Sequence, residues 1–139
     1  MDVESIARNL PALFAALLVS ILFIQSGLDK VFDRRGNLEW LTGHFSKTFL
    51  ASLVPSLLLT ITFMELAAGI LCTAGIVYFI FTASAVLIFA GSVIAALAIV
   101  ALFFGQRIAK DYAGAATLIP YFILVLMLMY LTSPFTKSQ

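Results

Sequence analysis

A chain of 139 residues that is 63% hydrophobic and 11% charged, with a mean hydropathy of +1.12, cannot cover itself with polar surface; this excludes a soluble domain and makes it an integral membrane protein. A formal net charge of +1 argues against a nucleic-acid partner. One cysteine, Cys72, and one histidine, His44, exclude an internal disulfide, a CxxC pair, a cysteine-ligated cluster and a bis-histidine haem, and leave no metal site to expect.

The first apolar segment runs from about Arg8 to Phe32. Asp2 and Glu4 spoil the positive start of a signal peptide. The stretch from Leu10 to Ile24 ends in Gln25-Ser26-Gly27 without a small-x-small cleavage site, so it reads as a retained membrane helix. Pro11 falls in its first turn, where a missing N–H costs little. The loop from Asp33 to about Val54 begins polar. It turns amphipathic through His44, Phe45, Lys47, Phe49, Leu50 and Leu53, which predicts a short interfacial helix there with Trp40 beside it.

A second apolar segment begins near Pro55 and ends near Ala74, with Gly75 as the break, and a tight uncharged turn leads into a third, from about Ile76 to Phe104. At about 1.5 Å per residue the third exceeds a core of about 30 Å, so tilt or a protruding end is expected. A short charged loop, Gly105 to Asp111, precedes the fourth segment, from about Tyr112 to Leu131, which Ser133-Pro134 stops. Backbone groups in lipid must be satisfied within each segment, so all four are helices. The expected fold is all-α: residues 1–139 form one four-helix transmembrane bundle.

Lys30, Arg34, Arg35 and Lys47 accompany the first polar loop, and Arg107 and Lys110 the last. Arg8 and Lys137 fall on the opposite side. This bias predicts cytoplasmic polar loops and termini outside. Small residues mark close helix approach: Gly91 with Ala95 and Ser92 with Ala96, then Ala67 to Gly69 and Ala113 to Ala116. They fit packing within one bundle or a face for another membrane subunit.

Glu65 stands in the apolar run from Leu53 to Cys72, about 15 Å past Pro55. An intramembrane carboxylate costs about 2 kcal/mol or more and needs a partner. Gln25 lies at similar depth on the first segment, and Asp29 shares its face. Ser26, Lys30 and Arg34 share the neighbouring face. Arg107 and Asp111 have helical i, i+4 spacing. One polar pocket is therefore expected to gather Gln25, Asp29, Lys30, Glu65, Arg107 and Asp111. The competing reading makes Glu65 a hydrogen-bonded post, to Gln25 or Ser26, and the basic residues headgroup anchors. No nucleophile–base pair, phosphate loop or metal spacing appears.

Gly27-Leu28-Asp29-Lys30, closing the first helix, resembles the glycine and lysine at that point in DoxX-like membrane proteins. Pro55, then Glu65-Leu66-Ala67-Ala68-Gly69-Ile70-Leu71 and Gly75, is similar to that family's second-helix signature. The resemblance covers nearly the whole chain. It implies a bacterial or archaeal inner membrane, and carries only Lys30 and Glu65 as positions of interest. It also implies an accessory or quinone-facing subunit of a membrane redox complex, resembling the small subunit of thiosulfate:quinone oxidoreductase. On that expectation the partners are lipids and other membrane subunits. Quinone would sit at a shared site lined by phenylalanines and Tyr121, and electron-carrying cofactors would come from partners. Two rivals remain: a small oligomeric transporter or channel using Glu65, and a purely structural subunit.

Overall fold

The computed structural model describes residues 2–134. Lys137, counted in the charge bias, lies outside them. The described residues form six α-helices and one 3-10 turn: α1 (Val3–Arg8), α2 (Leu10–Phe32), α3 (Arg34–His44), the turn Ala51–Leu53, α4 (Val54–Thr82), α5 (Val86–Ile108) and α6 (Tyr112–Thr132). Helices α2, α4, α5 and α6 are each long and apolar enough to cross a membrane, and the chain is a multi-pass, four-helix membrane bundle.

Each start has a local cause. Pro11 and Pro55 occupy first-turn positions of α2 and α4, where no N–H is missed. Asp2, Asp33 and Asp111 cap α1, α3 and α6 by accepting backbone N–H bonds from Ser5, Gly36 and Gly114. The ends of α4 and α5 are tighter. Ala83 (φ 59°) and Lys110 (φ 60°) adopt the left-handed conformation that usually falls to glycine, closing links too short for a gentler reversal.

Two expectations are corrected. Gly75 does not break the second membrane helix: α4 runs unbroken to Thr82, the uncharged turn is Ala83-Ser84-Ala85, and the third membrane helix is Val86–Ile108 instead of Ile76 to Phe104. Gly75 is instead a contact point. A Cβ there would lie 2.7 Å from the backbone nitrogen of Ile88, so a side chain is absent because α5 presses against it. The helix between the first two membrane spans also forms earlier than expected. It covers Arg34–His44 and includes Trp40, whereas 45–50 are turns. Asp33 caps the earlier start and Leu38 and Leu41 pack on the core, so the polar half of the loop is the helical half.

Helix α4 is the hub. It packs along α2 on one side and α5 on the other; α6 lies against α5 and touches α2 more lightly. The α2–α4 seam is pinned where Gly27 meets Leu66 and Gly69 meets Ile24. The α4–α5 seam is pinned where Gly75 meets Ile88 and Gly91 meets Cys72. Gly91, Ser92, Ala95 and Ala96 are all buried, so these small residues of α5 serve packing inside the bundle. In the Ala113 to Ala116 stretch only Ala115 is buried.

These pairings also set the depth of Glu65. With Gly27 beside Leu66, Glu65 is level with Leu28, about 6 Å from the end of α2. On its own helix it is about 16 Å from Val54. Both hold because α4 overshoots the end of α2 by about 10 Å, and α3 folds over the step. Glu65 is therefore three turns inside α4 but about one turn from the exit of α2.

Candidate functional site

Polar side chains gather in two places, both toward the end of the bundle that carries α3 and the α5–α6 link. The first lies in the α2–α4 seam. Glu65 is 2% exposed. Its Oε2 receives the Lys30 ammonium at 3.0 Å and a hydrogen bond donated by Ser26 Oγ at 3.1 Å. Lys30 Nζ also donates to Ser26 Oγ at 3.0 Å. Ser26 and Lys30 are one helical turn apart on α2, so one face delivers both. This closed triangle gives the carboxylate a countercharge and a donor, which is what a charge in an apolar seam requires. No buried side-chain nitrogen or oxygen among the described residues is left without a partner.

The second place is at the rim. His44 Nε2 stands 2.8 Å from Gln106 Oε1 and 3.8 Å from Asp111 Oδ2. The Trp40 ring stacks on the His44 ring at 4.5 Å between centroids, and Phe45 meets it edge-on. This cluster closes one end of an open cleft of about 240 Å³ between α3, the following turn, α4 and α5. Trp40, Phe45, Leu57, Ile61, Met64 and Phe104 form much of its wall, and its polar side-chain groups are those of Thr60, Gln106 and the Trp40 indole N–H. Thr60 turns its hydroxyl to the Ser56 carbonyl, 2.9 Å away.

The six residues expected in one pocket therefore part. Lys30 and Glu65 meet. Gln25 is exposed and Ser26 takes the place expected of it at Glu65, because one residue is about 100° of helix rotation. Asp29 is exposed and forms no ion pair among the described residues; its backbone carbonyl accepts from Asn37 Nδ2 at 3.4 Å. Arg107 does not pair with Asp111. The helix stops at Ile108 and Lys110 reverses the chain, so the i, i+4 geometry is lost. Arg107 instead lies over the Tyr112 ring at 4.3 Å. Asp111 caps α6 and faces His44. Tyr121 is 42% exposed on α6 and takes no part in the cleft wall, although Phe45 and Phe104 do.

Sequence reasoning missed Gln106, and it placed His44 in the interfacial stretch without a partner. The only available signal was that Gln106 is an uncharged polar residue directly after a long apolar helix. No group of three or more His, Cys, Asp or Glu side chains able to hold a metal exists among the described residues. Comparison with protein-family models, curated proteins and solved structures gave no match for this chain.

Proposed function

We propose that the chain is an accessory, quinone-facing subunit of a membrane-bound redox assembly. The observation that carries this reading is the cleft. It is open, apolar and partly aromatic, and its only polar side-chain groups among the described residues are those of Thr60, Gln106 and the Trp40 indole, in a bundle of membrane-length helices. Small-molecule sites have that make-up, with few polar groups fixing orientation. A quinone ring fits the aromatic wall, and its tail can remain in lipid. The resemblance of Gly27 to Lys30 and of Pro55, Glu65 to Leu71 and Gly75 to DoxX-like proteins supports the same assignment.

Redox cofactors then belong to partner subunits. The protein expressed alone should show no visible-range chromophore and no oxidoreductase turnover. Mild-detergent pull-down with mass spectrometry should recover cofactor-bearing membrane partners. A stoichiometric chromophore on the isolated chain would overturn the accessory role.

We place the chain in a bacterial or archaeal inner membrane, with α3 and the α5–α6 link in the cytoplasm and the termini outside. Six of the eight basic residues lie toward that end. Asn37→Cys and Ser84→Cys in a Cys72→Ala background test this, since 37 and 84 lie at opposite ends. An impermeant thiol reagent added to intact cells should label position 84 and spare 37. The reverse pattern would invert the topology.

A further inference from the structure

We propose that the Gln106 side-chain amide is the head-group donor of the cleft, set in that role by His44. The proposal rests on the quinone reading and names the atom that would recognise the ring. His44 Nε2 lies between two acceptors, Gln106 Oε1 at 2.8 Å and Asp111 Oδ2 at 3.8 Å. A ring nitrogen between two oxygens carries its proton, so His44 donates. That bond occupies the oxygen of the Gln106 amide and leaves its NH2 group without a hydrogen bond among the described residues. Gln106 also lines the cleft. Thr60 has already spent its proton on the Ser56 carbonyl. The cleft wall therefore has two side-chain donors without a hydrogen bond among the described residues, the Trp40 indole N–H and the Gln106 amide; the amide is the one whose orientation a hydrogen bond fixes, and its complement is an acceptor oxygen on an apolar molecule.

A carbonyl on a planar ring fits this arrangement. The wall beside Gln106 is aromatic, with Trp40, Phe45 and Phe104. A phospholipid ester shares the carbonyl and the tail, but no lysine or arginine lines the cleft to meet its phosphate. The volume is below the usual range of about 300–1,000 Å³ for whole drug-sized ligands, which suits a ring and the first part of a tail.

Trp40 is the only tryptophan and lines the cleft, so its fluorescence reports the site directly. The experiment titrates the purified full chain in lipid nanodiscs with decyl-benzoquinone, using a membrane-embedded tryptophan ester as control for collisional quenching. Decylbenzene, which lacks the carbonyls, and a short-chain phosphatidylcholine are added as competitors. Saturable quenching beyond the control is expected, with decylbenzene and the phospholipid competing weakly.

Gln106→Leu removes the amide. Gln106→Glu keeps an oxygen for His44 while replacing the free nitrogen, and guards against a fold defect in the first variant. Each should weaken quinone binding about tenfold, the worth of roughly one hydrogen bond, and neither should change decylbenzene competition. His44→Ala frees Gln106 to turn and should weaken binding by a smaller factor. Unchanged quinone affinity in both Gln106 variants would overturn the donor assignment while leaving the quinone reading in place. Equal competition by the phospholipid would make the cleft a lipid site and overturn it too. No saturable quenching of the wild-type chain would remove the quinone reading itself.

Discussion

The α2–α4 seam and the α3–α5 cleft contain similar chemistry in opposite states of completion. In the seam, a lysine, a serine and a glutamate satisfy one another and glycines bring the helices into close contact. In the cleft, a histidine and a carboxylate fix one side of a glutamine amide and leave the other side free. A closed polar set stabilises an arrangement, whereas an unfinished one is available to a ligand. The more expensive residue, Glu65, is thus the one the structure explains without a ligand, and the unremarkable glutamine is the one it does not.

Breaking the seam should have the largest effect. Lys30→Met or Glu65→Ala leaves an uncompensated charge and should destabilise by about 3–5 kcal/mol, read as the unfolding midpoint in detergent. Combining Lys30→Met with Glu65→Leu should recover most of that loss. If the double variant is as unstable as the singles, the pair is not an isolated structural post. Glu65→Gln alone should also destabilise, because Lys30 loses its countercharge. Normal stability with lost activity of the intact assembly would instead give Glu65 a chemical role.

Smaller effects should come from the glycine contacts. Gly75→Ala places a methyl 2.7 Å from the Ile88 backbone nitrogen, and Gly91→Ala places one 2.7 Å from Cys72 Sγ and 3.0 Å from the Cys72 nitrogen. Each should cost about 1–3 kcal/mol. Stability unchanged in both would mean that the α4–α5 seam is looser than its geometry. Gln106→Leu should cost only about 1 kcal/mol, a contrast with its effect on quinone binding that sharpens the division between seam and cleft. At the bottom of the scale, Arg35→Ala removes a fully solvated 3.5 Å contact to Glu39 and should leave the midpoint unchanged.

The bundle was legible in the sequence because lipid permits so few solutions. Long apolar runs must be helices, and Pro11 and Pro55 mark their starts. Where α4 ends was not legible. Glycine is read as a breaker by local conformation, but in a membrane bundle it equally marks where backbones touch, and only the position of α5 tells the two apart. The Glu65 partner was half legible. Its depth predicted a polar neighbour on the first helix, yet choosing Ser26 over Gln25 depends on helix rotation that no spacing within one segment defines. The rim cluster was least legible. His44 and Gln106 are 62 residues apart and meet only because α3 folds back across the ends of α4 and α5.

The step between α2 and α4 bears on how the protein meets the bilayer. One side of the bundle is about 10 Å taller than the other, and Leu57, Leu59 and Phe104 remain exposed on the tall side. A flat leaflet cannot match both heights. Lipid beside α4 and α5 must thicken there, the bundle must lean, or α3 must sink into the headgroups to fill the shortfall at α2. Mismatch of this kind makes a protein selective for bilayer thickness. It also turns the tall, apolar side into the edge at which a neighbouring subunit would relieve the most strain in the surrounding membrane.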